Sequence, residues 1–294
     1  MTVTRSPSLR SRLGDALVRL GMRIGAEGTP VVDESVRGAE QRVRLSGERA
    51  SRSGLIRAAQ KSESVLEIGP FHAPALSGAN VFYFDLQPTE ELIARVRDYG
   101  LPTGRVPEIQ FSEPTGDLSG IERSFAAVFS SHCIEHQPSL VRHLQQVSEL
   151  LEPGGAYYLI APDKRYCFDH YLPLSTLGGV VEAHREGRRV HSIANLIDAR
   201  TLLTHNQKLR HWTDDHGDPP PPASADHSAQ AALAEYDGAD GAYIDIHAWR
   251  FTPERFLEII RALGRLGLTD FTPERVFETR PGELEFTAVL RKPG

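Results

Sequence analysis

The chain has 294 residues, of which 40% are hydrophobic and 24% are charged, and these proportions are typical of a globular protein. This length suits one large α/β domain with additions, or two small domains. The net charge of −6, from 33 basic and 39 acidic side chains, gives no general reason to expect nucleic acid or an anionic membrane as a partner. The count of 2 cysteines, Cys133 and Cys167, excludes a disulfide framework.

Residues 1–45 predict an N-terminal helical extension. Apolar residues recur with helical spacing across 7–25, whereas 26–45 mix glycine, proline and charge as a connector does. The simplest role for the helix is to pack on the main domain, and a lid over a ligand or a contact in a homodimer are alternatives. The N-terminus lacks a continuous apolar core before a cleavage site, and no apolar run approaches the length of a membrane span. We therefore predict a cytoplasmic protein.

Residues 46–163 predict alternating strands and helices. The first strand is Val65–Ile68, and Gly69-Pro70 ends it sharply. Further strands are predicted at 81–85, 108–111, 124–129 and 157–160, with helices at 46–59, 89–99 and 138–151. Strands that alternate with helices at this spacing indicate βαβ units and a parallel sheet.

Residues 164–245 interrupt this alternation and predict an insertion that covers the ligand edge of the sheet. Helices are predicted in it at about 174–187, 192–203 and 223–236, with a proline-rich loop at 218–222. A short strand is predicted at 242–247. The C-terminal part, 246–294, predicts a helix at 252–263 and strands at 268–279 and 284–291. The turn signal Arg280-Pro281-Gly282 joins the last two strands into an antiparallel hairpin.

Polar residues and glycine follow the predicted strands at the points where those strands end. They are Gly69, Asp85, Asp117, Ser130 to His132, and Asp163. In an open parallel sheet, ligands bind beyond the carboxyl ends of the strands, so these residues are expected to lie at one edge. Glu67, near the tip of the first strand, is costly to bury without a partner and is therefore expected to receive hydrogen-bond donors.

Taken in order, these segments resemble the class I S-adenosylmethionine-dependent methyltransferases. Val65 to Gly69 resembles the first motif of that family, an acid followed by glycine after the first strand. Ser130 to His136, after the strand Phe125 to Val128, resembles the fourth-strand signature, and Leu150 to Gly155 matches the turn before the fifth strand. Phe71 and Ala73 stand where the family often has two further glycines. The resemblance covers roughly 64–163 and 242–294.

The resemblance implies an α/β fold with a Rossmann-like, mostly parallel seven-stranded sheet and a terminal antiparallel hairpin. The helical and loop insertion after strand 5 and the N-terminal helical extension before the core lie outside the common pattern of the family and are predicted from the residues alone. The family binds the ribose hydroxyls through an acid at the position of Asp85, and contacts adenine through the pair at Asp117-Leu118. The implied cofactor-binding residues are Glu67, Gly69, Pro70, Asp85, Leu86, Asp117, Leu118, Ser130 and Ser131.

The physical chemistry of S-adenosylmethionine suits these positions. One carboxylate can accept hydrogen bonds from both hydroxyls of a ribose diol, and a carboxylate such as Glu67 suits the methionine ammonium. The sulfonium disfavours nearby Lys and Arg, and 64–90 contains neither. Structural alternatives are that Asp85 caps the following helix, that Asp117 is a turn residue, and that the histidines near 132–136 are hydrogen-bonded structural groups.

Candidate catalytic residues are His132, His136, Asp163, Arg165 and His170, because each follows a strand end or lies in the segment directly after the fifth strand. A second polar cluster lies in the insertion, at His205, His211, Asp214, Asp215 and His216. Contact with the substrate or a lid, plain loop structure and a metal site are the alternatives for this cluster. Its spacing matches no ligand signature, so we predict no metal ligands.

The sequence therefore predicts a methyltransferase with S-adenosylmethionine as cofactor and a small-molecule acceptor, methylated on oxygen or nitrogen. One rival is a non-catalytic binding or scaffold protein on the same fold. The other is a nicotinamide-dependent oxidoreductase, which should carry Gly-x-Gly-x-x-Gly directly after the first strand, where this chain has an acid and a single glycine.

Overall fold

A computed structural model of the protein describes residues 50–219 and 221–294. The helix predicted at 7–25 lies outside these residues. The described chain contains seven strands in one sheet. They are β1 (Val65–Ile68), β2 (Val81–Asp85), β3 (Phe111–Ser112), β4 (Phe125–Ser131), β5 (Leu151–Pro162), β6 (Thr272–Val276) and β7 (Glu285–Arg291).

The strand order is β3-β2-β1-β4-β5-β7-β6. Strands β1 to β5 pair in parallel, whereas β7 runs antiparallel to both β5 and β6. The predicted fold class is therefore confirmed, including the terminal hairpin. The order of the strands reverses between β1 and β4, which is the switch point where open α/β sheets form their ligand crevice.

Helices flank the sheet and connect its strands. They are α1 (Arg52–Gln60), α2 (Thr89–Asp98), α3 (Leu140–Leu150), α4 (Leu177–Arg185), α5 (Ile193–Thr201), α6 (Lys208–His211), α7 (Pro222–Ala239) and α8 (Pro253–Arg265), with a 3₁₀ turn at Ile134–His136. Ser139 caps α3 by accepting from the Arg142 N–H. Thr252 caps α8 in the same way, with Pro253 at the first helical position as predicted.

Both faces of the sheet are buried under these helices. The larger core joins α3 and α8 to one face, with Tyr157, Phe256 and Phe286 fully buried in it. The smaller core packs α1 on the other face through Leu55 and Ala59. A parallel sheet covered on both faces explains why β1 and β4 are nearly continuous apolar runs.

The insertion has a small apolar cluster of its own between α5 and α7. Leu196 and Ala199 of α5 pack against Ala232 of α7 and Ile246. Arg200 pairs with Glu235 across the same two helices, with an N–O distance of 2.8 Å. These contacts hold the two helices together.

The prediction of a strand at 242–247 is wrong. The segment has no regular secondary structure and joins no sheet. The residues that follow it are bound to the 3₁₀ turn, because the Ala248 and Trp249 N–H groups both donate to the Glu135 carbonyl. Of this region only Phe251 forms a bridge, with Asp163. The strand predicted at 268–279 is shorter than expected, since β6 covers Thr272–Val276. Within the described residues, no helix has both the length and the apolar character that a membrane crossing requires.

Candidate functional site

A cavity of about 900 Å³ opens beyond the carboxyl ends of β1, β2 and β4, at the switch point of the sheet. Its volume lies in the range of small-molecule and cofactor pockets. The side chains that line it are mostly apolar, with a few polar and charged groups among them. They include Gly69, Phe71, Asp85, Leu86, Gln87, Arg95, Tyr99, Gly116, Leu118, His132, Cys133, His136, His143, Tyr243 and Asp245.

Gly69 forms the floor of the cavity where β1 ends. Its φ of +72° lies in the left-handed region that favours glycine. A Cβ atom built at Gly69 would lie 2.6 Å from the Cys133 Sγ atom. That sulfur is fixed because its thiol donates to the Ile68 carbonyl at 3.2 Å. Glycine is thus required here both by backbone conformation and by close approach of a side chain.

Phe71 also adopts a left-handed conformation, with φ of +46°. Its N–H donates to Asp85 Oδ2 at 3.2 Å, which ties the turn after β1 to the end of β2. The ring lies edge-on to Tyr99, and the Arg95 guanidinium carbon is 5.9 Å from its centroid. Phe71 therefore forms a wall of the cavity.

Asp85 ends β2 and is 7% exposed, facing the cavity. Its Oδ1 atom accepts from the Leu86 N–H at 2.8 Å, and Oδ2 accepts from Phe71. A carboxylate has about four lone-pair sites, so acceptor capacity remains for a ligand beyond the backbone N–H groups of Leu86, Phe71 and Gln87. Burial raises the pKa of Asp85, although these N–H donors oppose the increase.

Glu67 is buried, as its place in β1 predicts, but it faces away from the cavity. Its two oxygens accept from the Ala75 and Leu76 N–H groups at 2.7 and 2.9 Å. The donors expected for this carboxylate are therefore backbone groups of the following loop. Pro70, the residue after Gly69, is buried and likewise does not line the cavity.

Asp117 points toward α3 while its neighbour Leu118 lines the cavity. The Asp117 carboxylate pairs with Arg142 and accepts from Gln146, both on α3. It also accepts from Ser119 Oγ at 2.7 Å. Although burial raises the pKa of Asp117, the hydrogen bonds with Ser119 and Gln146 outweigh it and lower the pKa. The carboxylate thus fixes the loop on α3, and Leu118 provides the surface that faces the cavity.

Ser130 begins a buried chain of hydrogen bonds behind the cavity. Its Oγ lies 2.7 Å from the Tyr157 hydroxyl, which lies 3.0 Å from His143 Nε2. His143 lines the cavity, and burial lowers its pKa to about 4, so the imidazole is neutral at pH 7. Neither Ser130 nor Ser131 lines the cavity; both belong to β4.

His132 follows β4 with φ of +54°, a conformation that costs a non-glycine residue about 1–2 kcal/mol. Its Nε2 atom lies 2.7 Å from Glu285 Oε2, and its Nδ1 atom lies 3.5 Å from Glu135 Oε1. Burial lowers the pKa of His132, but these two carboxylates together raise it to about 9. His132 is therefore a cation at neutral pH.

Glu135 is 0% exposed and lies at the centre of three imidazoles. His136 Nε2 is 3.8 Å from Glu135 Oε1, and His247 Nε2 is 4.0 Å from the same oxygen. Burial raises the pKa of Glu135, but the imidazoles outweigh it and hold the pKa below its usual range. The carboxylate is thus ionised, and His136 connects it to the cavity.

Asp163, Arg165 and His170 do not line the cavity. Asp163 is 0% exposed, and its oxygens accept from Arg165 Nη2 at 2.6 Å and Thr279 Oγ1 at 2.7 Å. His170 Nδ1 lies 3.0 Å from the Arg165 carbonyl. These residues secure the start of the insertion to the terminal hairpin.

The polar cluster of the insertion is a stack of imidazoles. His170 and His216 stack with centroids 3.6 Å apart, and His211 Nδ1 lies 3.0 Å from His216 Nδ1. Arg210 pairs with Asp215 at 2.7 Å. The cluster is brought together as the sequence predicts.

The sequence-based prediction misses several residues of the site. It does not identify Glu135 as the carboxylate among the three imidazoles, and it does not include Tyr243, Asp245 and His247. Tyr243, Asp245 and His247 alternate along the chain, and an extended segment places alternate residues on one side. The structure turns that side toward the 3₁₀ turn: His136 Nδ1 pairs with Asp245 Oδ1 at 2.9 Å. This alternation of polar residues could have indicated that they face one site, but it indicates a strand of the sheet equally well.

The fold is that expected of the class I S-adenosylmethionine-dependent methyltransferases, with seven strands and a reversed last strand. No protein-family model and no curated protein matches the chain.

Among solved structures, the chain is similar to Burkholderia thailandensis 1,6-didemethyltoxoflavin-N1-methyltransferase, at 13% identity and a TM-score of 0.41, covering 99% of this chain and 94% of that one. It is also similar to a Mesorhizobium loti S-adenosylmethionine-dependent methyltransferase, at 14% identity and a TM-score of 0.37, covering 84% and 100%. The mitomycin 7-O-methyltransferase MmcR matches at 12% identity and a TM-score of 0.37 over 82% of this chain, which spans about half of that protein, 52%.

Proposed function

We propose that the protein is an S-adenosylmethionine-dependent methyltransferase that acts on oxygen or nitrogen of a small molecule. The observation that carries this proposal is the position of Asp85. It is a buried carboxylate at the end of β2, at the switch-point cavity, with acceptor capacity left for a ligand. This arrangement suits a ribose diol, whose two hydroxyls can donate to one carboxylate.

The proposal places the cofactor along the ends of β1 and β2. Gly69 and the Phe71 ring would flank it, and Leu118 would supply an apolar surface for adenine. Glu67 and Asp117 act indirectly, because their oxygens already accept hydrogen bonds from the protein and fix the loops on either side. The ammonium of the cofactor is therefore assigned to backbone carbonyls rather than to Glu67.

One feature of the cavity bears on the charge of the sulfonium. The segment 64–90 has no Lys or Arg, but Arg95 of α2 also lines the cavity. Its guanidinium carbon lies 5.8 Å from the Tyr99 ring centroid and 5.9 Å from that of Phe71. These rings attract the cation, and we place the sulfonium at the other end of the cavity, near Asp245 and His136.

The acceptor would bind beside His132 and His136. His132 is a cation at neutral pH, so the proposal gives it an electrostatic role rather than that of a base. Methyl transfer requires the acceptor atom in line with the carbon–sulfur bond, and such positioning alone can supply much of the rate. A cavity of about 900 Å³ leaves room for a small acceptor beside the cofactor.

Calorimetric titration with S-adenosylhomocysteine tests the proposal. We expect binding by the wild-type chain and an affinity about 10-fold to 100-fold weaker for Asp85→Asn, since hydrogen bonds to a charged group contribute about 1.5–3 kcal/mol. Asp117→Asn is the matched control and should change the affinity less. Absence of heat with wild type would favour the scaffold alternative, and protection by NADH but not by S-adenosylhomocysteine in a thermal melt would favour the oxidoreductase.

The remaining sequence-based predictions form part of this proposal. They are a cytoplasmic location, a small molecule rather than nucleic acid as partner, and a homodimer contact as an alternative role for residues 1–45. Cys133 and Cys167 are both free thiols, which is compatible with a reducing compartment.

A further inference from the structure

Glu135 presents a buried charge that the surrounding protein leaves without hydrogen bonds. The side chain is 0% exposed, and within the described part of the chain neither carboxylate oxygen has a hydrogen-bond partner. An ionised carboxylate removed from water costs several kcal/mol unless it is paired or coordinates a metal. The nearest cation is the His132 imidazolium, whose Nδ1 atom lies 3.5 Å from Glu135 Oε1. Two further imidazoles lie on the same oxygen, at the distances at which a metal ion could be shared.

Besides His132, two imidazoles place one nitrogen each near Glu135 Oε1 and have a carboxylate beside the other nitrogen. His247 Nδ1 lies 2.6 Å from Asp169 Oδ2, and its Nε2 lies 4.0 Å from Glu135 Oε1. His136 Nδ1 lies 2.9 Å from Asp245 Oδ1, and its Nε2 lies 3.8 Å from the same oxygen. Metal-binding histidines are held in this way, with the outer carboxylate fixing the tautomer and the ring.

Main-chain contacts keep the two ligand-bearing segments together. The Glu135 carbonyl accepts from the Ala248 and Trp249 N–H groups at 2.8 and 3.1 Å. The Trp249 indole N–H donates to the Gln137 carbonyl at 2.6 Å. The 3₁₀ turn and the segment after His247 are therefore joined directly beside the cluster.

We propose that Glu135, His136 and His247 bind one divalent transition-metal ion, with Zn²⁺ as the best-fitting ion. Their ligand atoms all lie within 4.8 Å of one another. Ligands at Zn²⁺ bond lengths in a tetrahedron are about 3.4 Å apart, so the observed distances of 3.8 and 4.0 Å need to close by about half an ångström. Two histidines and a glutamate form one of the ligand sets of catalytic zinc, which leaves a fourth position open.

The open position would serve the acceptor, and this part of the inference rests on the proposed methyl transfer. His136 and Asp245 line the cavity, so the cluster borders the space assigned to the acceptor. A hydroxyl bound to the ion would lose its proton to solvent more readily, because a bound cation lowers the pKa of its ligand. The oxygen would then form a bond to the methyl carbon, and the carbon–sulfur bond would break with its electron pair left on sulfur.

Metal titration of the full chain tests the site independently of activity. The chain is treated with a chelator, dialysed and titrated with Zn²⁺ by calorimetry and with Co²⁺ by visible absorption. We expect one ion per chain in the wild type and at least about 100-fold weaker binding in Glu135→Gln and His247→Ala. Asp169→Asn should weaken binding about 10-fold to 100-fold, because it removes only the outer carboxylate. His216→Ala, in the other histidine cluster, is the matched control and should bind normally.

The wild-type titration decides the matter even if a variant fails to fold, which circular dichroism would reveal. Absence of binding of both Zn²⁺ and Co²⁺ to the wild type would overturn the inference. So would binding that His216→Ala abolishes and Glu135→Gln leaves unchanged, because the ion would then belong to the His170, His211 and His216 cluster. Titration with S-adenosylhomocysteine separates the metal site from the proposed function. Binding of the cofactor product without binding of metal overturns the metal site alone. Binding of metal without binding of the cofactor product overturns the proposed methyltransferase function alone.

Discussion

Replacing Gly69 by alanine tests how the floor of the cavity is built. The φ of +72° costs an alanine about 1–2 kcal/mol. The added Cβ would lie 2.6 Å from Cys133 Sγ, whereas comfortable non-bonded contacts are about 3.5–4.0 Å, so about 1 Å has to be absorbed. Overpacking of this kind costs about 1–3 kcal/mol. We therefore expect Gly69→Ala to destabilise the fold by about 2–5 kcal/mol.

Gly100→Ala is the matched control, because Gly100 has φ of +68° but no heavy atom of the described residues within 4 Å of a built Cβ. It should cost only the conformational part, about 1–2 kcal/mol. The double variant Gly69→Ala/Cys133→Ala removes the sulfur, so the two changes should couple favourably by about 1–3 kcal/mol. Urea unfolding of five proteins measures these free energies: the wild type, Gly69→Ala, Gly100→Ala, Cys133→Ala and the double variant. Equal losses for Gly69→Ala and Gly100→Ala, with no coupling to Cys133→Ala, would refute this account of the turn.

Three further predictions concern buried charges. Glu67→Gln should destabilise the fold by about 1–3 kcal/mol, because it removes an acceptor from the Ala75 or Leu76 N–H group. Glu63 is exposed, so Glu63→Gln should have little effect. Equal unfolding free energies for the two variants would contradict this prediction. His143 has its pKa lowered to about 4 by burial, below its unfolded value of about 6.5, so its contribution to stability is present above pH 6.5 and is lost as pH falls toward 4. Between pH 7 and pH 5, His143→Gln should therefore lose about 2 kcal/mol less unfolding free energy than wild type, and identical pH profiles would be inconsistent with a buried neutral imidazole. Burial and the nearby Glu254 raise the pKa of Glu278 to about 7, so the stability of the fold falls as pH rises toward 7. Glu278→Gln should therefore stabilise the protein more at pH 8 than at pH 5. Thermal melts that show the reverse would rule this out.

The sheet and the position of the cavity were predictable because they follow from local patterns. Apolar runs that end at Gly69 and Asp85 mark where two strands end, and the alternation with helices makes the strands parallel, which brings their carboxyl ends to one edge. Asp85 reaches the cavity for this reason, as do His132 and His136 after β4. The reversed β7 follows from the turn signal at Arg280 to Gly282.

The partners of the buried acids were not predictable, because they are chosen by tertiary contacts. Nothing at Asp117 indicates that Arg142 and Gln146 of α3 will contact its carboxylate. Asp163 is likewise satisfied by Thr279, which lies 116 residues later in the chain. The alternation at 242–247 indicates a strand, but the Glu135 carbonyl holds the chain that follows and places His247 beside the 3₁₀ turn instead.

The central claim is that the cavity at the ends of β1, β2 and β4 binds S-adenosylmethionine. The most direct test is a crystal structure of the full chain with S-adenosylhomocysteine. We predict the ribose hydroxyls within hydrogen-bond distance of the Asp85 carboxylate and the sulfur on the side of His136 and Asp245. A ligand bound elsewhere, or a ribose that does not contact Asp85, would contradict the account.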